Sequence, residues 1–193
     1  MSDSVPSSAE PTPPRTALRT AFMWSERAFF VLLLLFVIDR LGPQLTALTG
    51  IGPIEGSTPE YAVRLFDGTQ LTSDELRGKV VVLNVWATWC PPCRVEIPAL
   101  QSLHARTARD GDVVVLGLAT DIQGPGVVAP FLAERGVTYP NGMLDRDTRQ
   151  ALGGISHTPT TFVIGPDGVV RHKVLGFFAP PAMRAAVNRL RAD

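Results

Sequence analysis

The chain is short of cysteine, of aromatic residues and of net charge. Cys90 and Cys93 are its only cysteines, which excludes a scaffold stapled by several disulfides and confines any sulfur chemistry to one place. Lys plus Arg and Asp plus Glu each number 18, so the formal charge is zero and there is no basic face for nucleic acid. His104, His157 and His172 are scattered along the chain, and two cysteines with such histidines make a poor four-ligand zinc set. No cofactor and no metal are therefore expected. A long apolar run is missing as well. The longest, Ala28 to Ile38, falls well short of the roughly 20 residues that cross a bilayer core. A length of 193 residues suits one domain with attachments.

What is present centres on Trp89-Cys90-Pro91-Pro92-Cys93, directly after the apolar stretch Val80 to Trp86. A strand that ends in C-x-x-C and runs into a helix puts the first sulfur at the helix N-terminus. Unpaired N–H groups and the positive end of the macrodipole favour a thiolate there. Proline suits the first helical turn, because its missing N–H would have had no partner. A purely structural bridge across two residues closes too small a loop to stabilise much. The pair reads as a dithiol/disulfide exchange site.

In chain order, residues 1–20 open with a Ser/Pro-rich stretch without apolar periodicity and read as a disordered tail. Three readings compete for the run that follows. A core helix would not be apolar on every face, as this block is. A cleaved signal peptide fits the length, yet Thr46-Ala47-Leu48 is a poor cleavage site. An uncleaved signal anchor over residues 21–42, which borrows flanking residues and lets Arg27 and Arg40 snorkel to the interfaces, fits best. Arg15, Arg19 and Arg27 precede the run and Arg40 alone closely follows it. The positive-inside rule then leaves the N-terminus in the cytoplasm and the rest outside. Residues 43–56, with Gly42-Pro43 at their start and Gly52-Pro53 within, read as a linker.

From residue 57 the pattern is that of an α/β domain. Tyr61 to Leu65 alternates and Asp67-Gly68 is a hairpin turn signal. The strand Val80–Trp86, a helix from about Pro92 to Ala108 and the strand Val113–Ala119 form a βαβ unit, hence parallel and central. Cys93, Ile97, Leu100 and Leu103 share one helix face. Helices are expected over Val127–Arg135, Arg146–Leu152 and Pro181–Arg191, and a hairpin over Thr161–Ile164 and Val169–Val174. The sum is a mixed central sheet covered by helices on both faces.

Residues 57–193 resemble the thioredoxin fold, and in particular membrane-anchored thiol-disulfide oxidoreductases of the TlpA/ResA type. The likeness rests on Leu76-Arg77-Gly78-Lys79, on Asn84 through Arg94, on Glu96-Ile97-Pro98-Ala99-Leu100 and on Thr158-Pro159-Thr160-Thr161-Phe162-Val163-Ile164. The resemblance implies that Cys90 is the nucleophile and Cys93 the resolving thiol. It also implies that Pro159 is cis beside the sulfurs and that Pro98 kinks the active-site helix. Such proteins commonly work outside the cytoplasm, reducing apo-cytochrome c, copper-site proteins or other disulfide-containing proteins with electrons from a membrane dithiol donor. A monomer in the inner (cytoplasmic) membrane, its C-terminal domain in the periplasm or an equivalent space, is expected.

Other residues take their roles from the same two sources. By spacing alone, Glu96 is a helix-start glutamate answering the macrodipole. The resemblance makes it instead the proton acceptor for Cys93, with Asn84 where thioredoxins bury an aspartate. Thr158 and Pro159 would offer backbone to an extended substrate, and Trp89 would form an apolar rim that contacts it, while Trp86 is core. His157 could tune the sulfurs, although a loop histidine is ordinarily just solvated. Two other functions compete for the same residues. A peroxidase of the related fold would need proline at Leu83 and threonine at Ala87, and has neither. A Cu(I) chaperone would use Cys90, Cys93 and His157. Whether the site reduces, oxidises or isomerises depends on its potential, which the residues leave open.

Overall fold

The computed structural model describes residues 30–31, 51–52 and 56–192. Phe30 and Val31 are helical, and the rest of the expected tail and anchor lies outside the described residues. Among the described residues, no helix is long and apolar enough to cross a membrane. The chain divides into residues 1–45 and 46–193, and the second unit carries the fold that follows.

Its centre is β4 (Val80–Trp86), every residue of which is buried. β-branched residues on both sides of the pleat suit a strand covered on both faces. β4 runs parallel to β5 (Val113–Ala119), reached through helix α1 (Pro91–Thr107) as the expected βαβ unit. On its other side β4 is antiparallel to β7 (Thr160–Ile164), which forms a hairpin with β8 (Val170–Leu175). Strand β1 (Ile51–Gly52) pairs with β8, and β6 (Asn141–Met143) extends the sheet beyond β5. The six-stranded order is β1-β8-β7-β4-β5-β6, with β2 (Ala62–Arg64) and β3 (Gln70–Thr72) forming a separate hairpin.

The two faces follow from the period of two along β4. Val81, Leu83 and Val85 pack with Leu116, Leu118, Phe162 and Ile164 beneath Tyr61 and Val63 of the β2–β3 end. Val80 and Val82 face the other way, towards Leu100 and Leu103 of α1 and Met183, Val187 and Leu190 of helix α4 (Pro180–Ala192). Helix α2 (Pro125–Glu134) supplies Val128 and Leu132 to a third cluster around Trp86, Cys90, Cys93 and Ile97. A short helix α3 (Arg146–Ala151) starts with an Asp145 cap that accepts from the Thr148 amide.

Two elements depart from expectation. Residues 51–52, inside the stretch read as linker, form β1, because β8 otherwise leaves its outer edge unpaired. β6 has no apolar alternation to announce it, since Asn141-Gly142 reads as a turn. It exists because β5 offers an open edge and Asn141 fills a gap. A Cβ on Gly117 would lie 2.0 Å from the Asn141 side-chain oxygen, so only glycine fits there. That oxygen accepts from the Trp86 indole at 3.2 Å.

Candidate active site

The apolar cluster under Trp86 ends at the redox pair. Residue 90 leaves β4 with φ −87° and ψ 109° and caps α1, its sulfur accepting from the Cys93 amide at 3.4 Å. Pro91 and Pro92 occupy the first helical turn, where neither lacks a needed donor. Cys90 and Cys93 form a disulfide, with Cα atoms 5.3 Å apart. Both are nearly inaccessible, at 2% and 1%. Trp89 beside them is 61% exposed, so the apolar surface next to the sulfurs is an indole.

One turn further along α1, Glu96 is fully buried. It lies in the second turn of the helix, so the macrodipole reading of a helix-start glutamate does not describe it. The carboxylate accepts from Asn84 Nδ2 on β4 and from Thr161 Oγ1 on β7, each at 3.3 Å, and from the Phe178 amide. Asn84 Nδ2 also donates to Thr161 Oγ1 at 2.8 Å. Burial outweighs these bonds and pushes the Glu96 carboxyl up from 4.5 to about 7. A side chain that changes charge near neutrality thus stands on the face of α1 that carries Cys93. Nearby Tyr139 is buried with its hydroxyl unpartnered among the described residues, and burial and the Glu96 charge both push its phenol up.

The Thr158–Pro159 peptide bond is cis, as the resemblance implies. Register brings it to the pair: Thr160 stands opposite Val85, so Pro159 continues β7 alongside the end of β4. The Pro159 carbonyl accepts from Gly176 at 2.8 Å, which brings exposed Phe177 to the same end of the sheet. Pro98 lies inside α1.

The structure thus gathers Trp89, Cys90, Cys93, Glu96, Thr158 and Pro159 at the C-terminal end of β4. His157 is exposed there, with Nδ1 in a 2.8 Å hydrogen bond to Ser156. Among the described residues, no group of three or more His, Cys, Asp or Glu side chains is arranged to hold a metal. Residues that sequence reasoning passed over also converge. Asp121, 2% exposed, accepts from the Thr88 amide at 3.2 and 3.1 Å, and the Thr88 hydroxyl donates to it as well. Thr161, part of the motif around Pro159, brings its hydroxyl to Glu96, a link that no local sequence pattern announces. Exposed Ile122 follows Asp121. An acidic residue just past a buried strand was the one available sign.

Comparison with known proteins agrees with this geometry. The Redoxin family profile matches residues 56–190. The thiol-disulfide oxidoreductase ResA of Bacillus subtilis is 31% identical over 141 residues, 71% of this chain and 76% of its own length. The thiol:disulfide interchange protein DsbE of Allochromatium vinosum is 35% identical over 126 residues, covering 64% of this chain and 67% of its own. Among solved structures, a thioredoxin-family thiol:disulfide interchange protein of Chlorobium tepidum superposes with a TM-score of 0.65 at 28% identity. That match covers 72% of this chain and 99% of the other. With a cysteine pair at a helix start, a thioredoxin-like sheet and these relatives, the chain belongs to the Redoxin family and is a thiol-disulfide oxidoreductase of the ResA/DsbE type.

Proposed function

We propose that this chain is an extracytoplasmic, membrane-tethered reductase of protein disulfides, of the kind that prepares apo-cytochrome c or similar substrates. The observation that carries the reading is the buried Glu96, titrating near neutrality, on the helix face shared with Cys93. The Cys90 thiolate attacks a substrate disulfide; a mixed disulfide forms and one substrate thiolate leaves. Glu96 takes the Cys93 proton, and the Cys93 sulfur displaces the second substrate thiolate from Cys90. Two electrons have then passed to the substrate, and the pair stands as the Cys90–Cys93 disulfide. A membrane dithiol donor reverses the exchange and restores the thiols.

Trp89 supplies an apolar contact, and the backbone at Thr158 and Pro159 pairs with an extended substrate strand. The anchor over residues 21–42 holds the domain at the outer side of the inner membrane, the orientation resting on Arg15, Arg19 and Arg27. Insulin reduction under a regenerating dithiol, together with the potential of the purified protein, tests the reading. A potential near or below about −250 mV and steady turnover are expected. A value near about −120 mV would assign the same cysteines to disulfide formation instead.

A further inference from the structure

Asp121 is a buried carboxylate that the exchange steps above leave unused. It stands two residues past the end of β5, 2% exposed, and among the described residues it takes part in no ion pair. Its partner is Thr88, two residues before Cys90. The Thr88 amide donates to both carboxylate oxygens, at 3.2 and 3.1 Å, and the Thr88 hydroxyl donates to Oδ1. On the other side the Thr88 carbonyl accepts from Arg94 Nε at 2.6 Å. Every polar group of Thr88 is therefore held. Thr120 completes the seam, its amide and hydroxyl both donating to the Trp86 carbonyl, at 2.9 and 3.2 Å. The chain from Ala87 to Cys90 is neither strand nor helix, so these bonds set where the first sulfur lies.

We propose that Asp121 is a positioning residue that clamps Thr88 and places a negative charge behind Cys90, which biases the pair towards reduction of its substrates. The helix start favours the Cys90 thiolate; a nearby like charge opposes it. A less stable thiolate makes the dithiol form less stable, and a dithiol that gives up its electrons readily is a reductant. The other ionisable groups around the pair are Arg94 beside it, Arg135 over the Phe131 ring at 3.6 Å, Glu96 on the Cys93 face of α1 and His157 before Pro159. Arg94 is committed to the Thr88 carbonyl and to the Phe131 ring, 5.6 Å from its centroid. The inference rests on Cys90 as the reacting thiol.

The experiment compares D121N and T88V with the parent, all as the full chain. Alkylation by iodoacetamide is followed against pH, with the modified cysteine identified by mass spectrometry, and the pair is equilibrated with glutathione at pH 8. D121N removes the charge and keeps the shape. Its Cys90 midpoint is expected to fall by about half to one pH unit. The equilibrium is expected to move three- to tenfold towards the dithiol, about 15–30 mV more oxidising. T88V keeps the charge and removes one donor from it, so the midpoint is expected to rise, with slower insulin turnover. Opposite shifts support the proposal, and T88V decides it alone if D121N does not fold. Both midpoints staying at the parental value, with only Tm falling, would overturn it. Alkylation at Cys93 in the parent would instead overturn the order of attack on which the inference rests.

Discussion

The two ends of β5 handle carboxylates in opposite ways. At its start, Asp110 and Asp112 meet the Arg191 guanidinium of α4, each at 2.8 Å, in pairs that solvent reaches. Just past its finish Asp121 is buried, as is Glu96 on α1, both held by neutral hydroxyl, amide and backbone donors, with no cation paired to either among the described residues. Exposed ion pairs contribute little and weaken further with salt. A buried carboxylate without a counter-charge costs stability, and its protonation responds to its surroundings. One end closes the fold with exposed ion pairs; the other buries carboxylates among neutral donors.

The largest effect that would break this contrast comes from the cysteines themselves. Cys90→Ser is expected to leave no insulin reduction above the uncatalysed dithiol rate, whereas Cys93→Ser should accumulate mixed disulfides with substrate, detectable by mass spectrometry. Absence of adducts on the Cys93 variant would reverse the assigned order of attack.

Glu96→Gln comes next. Between pH about 4.5 and 7 the folded protein keeps a proton on Glu96 that the unfolded chain has released. The stability linked to this proton is fully present below about pH 4.5 and is lost as pH rises through 7, by roughly 3 kcal/mol. Glutamine should flatten that slope in denaturant titrations, and slow resolution of the mixed disulfide by roughly ten- to a hundredfold. Identical pH profiles for the two proteins would remove Glu96 from the chemistry.

A smaller change sharpens the picture. Thr161→Val deletes one donor to Glu96 and should cost about 1–2 kcal/mol. It should also move the Glu96 carboxyl higher still, a shift readable by NMR titration. Smallest of all, Arg191→Ala at the opposite end should barely alter Tm, and should leave thiol titration and redox potential at their parental values. A change in either would mean that the two ends are coupled.

The pattern of the chain disclosed much of this, and the gaps have physical causes. Val80–Trp86 and Val113–Ala119 were legible because strands buried on both faces must be apolar throughout. The Cys90 cap was legible because proline at the first turn and a C-x-x-C pair mark a helix start on their own. β6 was not, since Asn141-Gly142-Met143 becomes a strand only through the open edge of β5. The interior fate of Glu96 was not readable from spacing either. In an isolated helix it would face water, and only Asn84, Thr161 and Phe178 arriving from other elements enclose it.

Local order in the chain was sufficient to determine that this protein carries one pair of sulfurs at the head of a helix in an α/β domain. Periodicity, proline placement and cysteine spacing each act over a few residues, and need no distant partner to be read. What folding alone decided was the setting of those sulfurs. Residues far apart in sequence, Thr88 with Asp121 and Glu96 with Thr161, meet because parallel and antiparallel pairing sets β5 and β7 on either side of β4. Desolvation at that meeting point, a property of the assembled interior and of no single segment, is what moves the charge of Glu96 towards neutrality.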